Sequence, residues 1–85
     1  MYLHLGKGTV VRKKDIVAIF DLDQTSQSHI TRKYLAAAEK AGQVINAAED
    51  IPKSFVVCHS REGRLMYLSQ MAPSTLLKRA ESEII

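Results

Sequence analysis

A single cysteine, Cys58, leaves no partner for an intrachain disulfide, which excludes a cystine-stapled secreted scaffold. The apolar run Ile16 to Phe20 is far shorter than the roughly 20 residues of a membrane-spanning helix, so no membrane partner is expected. Met1-Tyr2-Leu3-His4-Leu5-Gly6 has neither a basic nor an apolar export region, and a cytoplasmic location is the expectation. No C-x₂-C or H-x₃-H spacing is present, and Cys58 and His59 are neighbours on an extended segment, where they point to opposite faces. No metal and no cofactor is therefore expected. Gly6-Lys7-Gly8 is not a nucleotide loop, because Val11 stands where the third glycine of G-x-G-x-x-G belongs. Repeats, low-complexity tracts and linkers are also missing, and 85 residues make one domain, 1–85.

What is present is an ordinary globular composition, 46% hydrophobic and 25% charged, with a net charge of +3. The distribution of charge is uneven: Lys7, Arg12, Lys13 and Lys14 crowd into the first 20 residues against Asp15 alone. Residues 21–50 are acidic on balance, and residues 51–85 are basic again through Lys53, Arg61, Arg64, Lys78 and Arg79. Clustered cations with a pI near 9.2 suit an anionic partner, most simply nucleic acid.

Short β-prone runs at residues 2–5 and 9–12, separated by Gly6-Lys7-Gly8, predict a hairpin. Lys13-Lys14 makes the next turn, Asp15 to Phe20 reads as a strand, and Asp21 to Ser28 as a polar turn. Ile30, Tyr34, Ala37, Ala38 and Ala41 then recur at helical spacing, with Gly42 as the stop. Val44 to Asn46 is a short strand, and Ser54–Ser60 with Arg64–Ser69 form a second hairpin across Arg61-Glu62-Gly63. Pro73 opens a last helix whose apolar face is Leu76, Leu77, Ala80 and Ile84. The fold class is α+β: a small, mostly antiparallel sheet with one central helix and a C-terminal helix.

The second hairpin is apolar on both sides, with Phe55 and Val57 against Val56 and Cys58, and Leu65 and Tyr67 against Met66 and Leu68. Half-buried antiparallel strands alternate apolar with polar residues. Either the two helices cover both faces or another subunit covers one of them. In the second case Phe55, Val57, Leu65 and Tyr67 are the candidate interface of a homo-oligomer. Asp21-Leu22-Asp23-Gln24-Thr25 has the D-x-D-x-T pattern of a phosphotransferase nucleophile, but that chemistry needs successive parallel βα units and a later acidic pair at a strand end. The residues after Thr25 supply neither, so an enzyme is not expected. His29 to Tyr34 has no preceding helix with which to make a helix-turn-helix.

Met1 to Gly6, Val10-Val11, Asp15 to Asp21, Pro52 to Val57 and Ser74 to Ala80, taken in order, resemble the extracellular matrix regulatory proteins of Gram-positive bacteria, in the RemB branch beside its RemA sibling. The resemblance implies a cytoplasmic transcriptional regulator of biofilm-matrix genes. It further implies a ring-like homo-oligomer that contacts double-stranded DNA mainly through phosphates, and that a RemA-type sibling is a possible co-assembling partner. Lys7, Arg12, Lys13, Lys14, Lys53, Arg61 and Arg64 are the DNA-binding candidates in this chain. An arginine pair of the RemA branch is replaced here by Ile51 and Pro52, and a further basic position by Asp15, whose neighbours Arg12, Lys13 and Lys14 match the charge but not the geometry. The alternative function is a protein-interaction or scaffold module of the same pathway without DNA contact.

Overall fold

Gly6, Lys7 and Gly8 all adopt positive φ, and this turn folds β1 (Tyr2–Gly6) back on β2 (Thr9–Arg12) as a separate two-stranded antiparallel sheet. Alternation buries Leu3, Leu5 and Val11 and leaves Tyr2, His4, Val10 and Arg12 outward. Gly6 is required here: a Cβ on it would lie 2.6 Å from the Ala47 carbonyl oxygen, at φ +127°. The computed structural model describes residues 2–22 and 25–82, with side chains described for 2–22 and 32–81.

A single 3₁₀ turn, Lys13–Asp15, leads to β3 (Ile16–Asp21), followed by α1 (Thr25–Lys40), β4 (Val44–Asn46), β5 (Ser54–Ser60), β6 (Gly63–Ser69) and α2 (Pro73–Ser82). The second sheet has the order β3-β5-β6-β4, antiparallel except for the parallel β4–β6 pair. The α+β class therefore holds, with two sheets rather than one. The polar stretch read as a turn gives way to α1 from Thr25, since small hydroxyl residues suit a first helical turn whose amides lack intrahelical partners. The helix stops as expected. Gly42 at φ +71° lets its amide reach Glu39 O and the Gln43 amide reach Ala38 O, a Schellman closure.

Both helices bury part of their predicted stripes, Ala38 in α1 and Leu76 with Ala80 in α2, and expose the rest. In α1 the inward residues are Leu35 and Ala38, while Tyr34, Ala37 and Ala41 are exposed and the Ile30 side chain lies outside the described residues. In α2 Leu76 is fully buried and Ala80 packs beside it, four residues on, whereas Leu77 is 55% exposed and Ile84 lies outside the described residues. One residue along a helix is a rotation of about 100°, enough to carry Leu77 off the buried stripe.

The doubly apolar hairpin has an intrachain explanation. On one face, Val56 and Cys58 pack with Leu3, Leu5, Val11, Ala47 and Leu76. On the other, Phe55, Val57 and Met66 pack with Ala38 and Leu35. The sheet is thus the middle of three layers, and β5 is buried on both faces from Ser54 to Cys58. Phe55 (0% exposed) and Val57 (4%) cannot serve as interface residues, because the chain's own α1 layer encloses them. Leu65 is 37% exposed and Tyr67 half-buried, so these two remain available.

Two buried serines face each other across β5 and β6, Ser54 opposite Ser69. Ser69 Oγ donates to Leu5 O at 2.8 Å and accepts from the Met71 amide, which ties the first hairpin to the sheet. Ser54 Oγ has no partner among the described residues. Ser69→Ala should lower the unfolding free energy by about 1–3 kcal/mol, because it orphans a buried carbonyl, while Ser54→Ala should be neutral or stabilising. Urea denaturation of both variants checks the contrast, and equal losses would refute it.

Candidate nucleic-acid interface

The seven candidate cations do not form one surface. Arg12 lines a cavity of about 270 Å³ with Ser60, Gly63, Leu65 and Tyr67, and Ile16 pairs with Cys58, so the 3₁₀ turn lies against the β5–β6 hairpin tip. This brings Arg12 and Lys14 to the same end of the sheet as Arg61 and Arg64, all exposed. Lys7 and Lys53 belong to the opposite end. The Lys7 turn abuts Ala47, and the Lys53 amide bonds Ser69 O at the far terminus of β6. Six residue steps of strand separate the two ends, roughly 20 Å.

Lys13, the middle cation of the triplet, has another role. Its Nζ donates to the Ala80 carbonyl at 2.6 Å, where a positive charge meets the negative end of the α2 dipole. The half-buried Lys13 thereby anchors α2, and the outward members of the triplet are Arg12 and Lys14. Arg12 Nε stands 4.0 Å from Asp15 Oδ2, a long and largely exposed pair that leaves the guanidinium open to other anions.

At the hairpin tip, His59 lies directly across the ladder from Arg64. Arg64 Nη1 donates to Tyr34 Oη at 3.0 Å, which steadies the guanidinium against α1. Tyr34 itself meets Phe55 edge-on at 6.0 Å. The reading of the sequence missed Tyr34 and His59. The alternation from Phe55 through Val57 to His59 was the available signal that His59 continues the α1 face.

Around the 270 Å³ cavity, Tyr2 (59% exposed), Val10 (53%) and Leu65 form an apolar rim over Val11, Cys58 and Tyr67. Burial, and secondarily the Asp15 carboxylate, push the Cys58 thiol up to about 11. Burial also raises the Tyr67 phenol above its ordinary value, followed by the influence of Cys58 and Asp15. Cys58 is thus a neutral packing group at physiological pH. Among the described residues, no three His, Cys, Asp or Glu side chains gather as a metal site. Asp21 ends an antiparallel edge strand, not a strand of a parallel doubly wound sheet, and Asp23 lies outside the described residues. Among the described residues, no helix is long and apolar enough to cross a membrane.

The sequence that builds this site has relatives among known proteins. The family model described as extracellular matrix regulatory protein A-like matches residues 2–80. The chain belongs to the RemA-like family. Within it, the chain is 37% identical over 81 residues to extracellular matrix regulatory protein B of Bacillus subtilis strain 168, which covers 95% of this chain and 91% of that relative. This supports the RemB branch. The match extends across the first hairpin, both edges of the sheet and most of α2, so it takes in both the basic end and the apolar rim.

The raised thiol gives a pH signature. The folded chain holds the Cys58 proton to about pH 11 while the unfolded chain releases it near 9.0, so stability from this group is intact below about pH 9 and is lost as pH rises toward 11. Unfolding measured between pH 8 and 11 should show this loss, reduced in Cys58→Ala. An iodoacetamide reaction at pH 8 as fast in the folded as in the unfolded chain would refute the shielded thiol.

Proposed function

We propose that this protein regulates extracellular-matrix genes by binding double-stranded DNA as a homo-oligomer, through the phosphate backbone. The observation that carries the reading is the convergence of Arg12, Lys14, Arg61 and Arg64, from two distant segments, on one end of the sheet. The family name supplies the regulatory context. Four cations on one monomer bind DNA feebly, since non-specific affinity grows with the number of phosphates neutralised. A closed ring repeats the basic end in every protomer, so weak contacts add along a bent duplex. Helix α1 offers no helix-turn-helix partner for groove readout, so sequence preference is modest and backbone contact dominates. The protomer surface proposed for ring contacts is the apolar rim of Tyr2, Val10 and Leu65 over Tyr67, a cluster that water solvates poorly.

One observation favours the scaffold reading. In the loop between β4 and β5, Gln70 Oε1 accepts from the Glu49 and Asp50 amides, and Ile51 is 75% exposed, with Lys53 as the loop's one cation. This loop presents an acidic and apolar surface where the family resemblance implies arginines. A RemA-type sibling that co-assembles with this chain would supply those charges.

Two measurements test the proposal. Binding to a long duplex should weaken steeply with salt, with a log–log slope of roughly −0.9 per phosphate contact. The slope should become shallower when Arg12, Lys14, Arg61 and Arg64 are replaced by Ala, and should change little for Lys7→Ala and Lys53→Ala. An oligomeric protein that shifts no DNA at low salt would sink the DNA reading and leave the scaffold. Light scattering should report an oligomer that Leu65→Glu dissociates without loss of secondary structure. A monomeric wild-type protein at micromolar concentration would overturn the assembly.

A further inference from the structure

On the α1 side of the sheet, a cleft of about 450 Å³ lies between the helix and the β5–β6 hairpin, within the roughly 300–1,000 Å³ usual for small-ligand sites. The cleft exists because, beyond Tyr34, α1 offers only methyl groups there. Ala37 and Ala38 stand where longer side chains would fill the gap to Met66. Its floor is apolar, made by buried Met66 and Ala38. Its mouth is cationic and polar: Arg64 and His59 face one another across β5 and β6, and Gln43 lies on the other side of Arg64's strand. Tyr34 makes an aromatic wall, 39% exposed. No carboxylate lines the cleft among the described residues.

We propose that this cleft binds a small phosphate monoester carrying a flat aromatic group, a ligand of the nucleoside monophosphate class. The guanidinium of Arg64 is pre-oriented by its bond to Tyr34 Oη and keeps four of its five N–H donors for a phosphate. His59 adds a second donor beside it. The base lies over Met66 and the alanine methyls against the Tyr34 ring, where sulfur and aromatic contacts favour a planar partner. The Gln43 amide has a donor and an acceptor for a base edge, and its backbone is fixed on both sides, with its N–H bonded to Ala38 O and its carbonyl accepting from Met66 N. This site stands independently of the DNA reading, though it shares Arg64 with it, so an occupied cleft would remove one cation from the basic end.

The test uses the full chain and adenosine 5′-monophosphate, with adenosine and inorganic phosphate as separate probes. Titration followed by amide NMR should show saturable shifts centred on Gln43, His59, Arg64 and Met66, with the monophosphate binding at least tenfold tighter than either part alone. Arg64→Ala should weaken it at least tenfold. Ala37→Leu, an exposed position whose substitution fills the cleft and keeps every charge, should weaken it as much while leaving duplex DNA binding unchanged. Absence of saturable shifts, or undiminished binding in Ala37→Leu, overturns the proposal. An equal loss of duplex affinity in Ala37→Leu also overturns it, since the cleft would then belong to the DNA surface.

Discussion

The burial of β5 on both faces is the constraint from which the other features follow. A strand of Ser-Phe-Val-Val-Cys needs two apolar layers, and a chain of 85 residues has little material with which to build them. The solution divides the work: α1 covers Phe55 and Val57, while the first hairpin joins α2 over Val56 and Cys58. Each covering element must then be held in register. Ser69 fastens the hairpin through Leu5, the missing side chain of Gly6 lets the turn approach Ala47, and Lys13 holds the end of α2.

That layering decides where charge can go. With the middle of the sheet enclosed, the cations outside the helices collect at the two strand termini, and the chain direction sorts them. The turn after the first hairpin and the tip of the second come together, so Arg12 and Lys14 join Arg61 and Arg64. Lys7 and Lys53 are left at the other end, Lys53 beside Asp50. The same end that gathers cations also gathers exposed Tyr2, Val10 and Leu65, the first two on the outward face of the first hairpin. The proposed function rests on this basic edge and apolar rim lying side by side.

Much of the element order is written locally. Glycines at positive φ mark the first turn and the end of α1, the Arg61-Glu62-Gly63 turn marks the second hairpin, and Pro73 opens α2, so these boundaries could be read from single residues. The start of α1 could not, because Thr25 and Ser26 suit a turn and a first helical turn equally well. The parallel pairing of β4 with β6 was likewise beyond local reading, since three residues carry no signal of direction.

The sequence by itself determined the class of the fold, its two hairpins, the excess of basic charge and, through several ordered motifs, the family. Those properties depend on near neighbours along the chain or on composition. Only the tertiary structure decided that Phe55 and Val57 are core rather than interface, that Lys13 caps a helix rather than facing solvent, and that Arg12 and Arg64 share one end while Lys53 lies at the other. Each of these turns on which layer covers a face or which segment meets another some 50 residues away. Such contacts are set by packing three layers around one strand, and no window of sequence contains them.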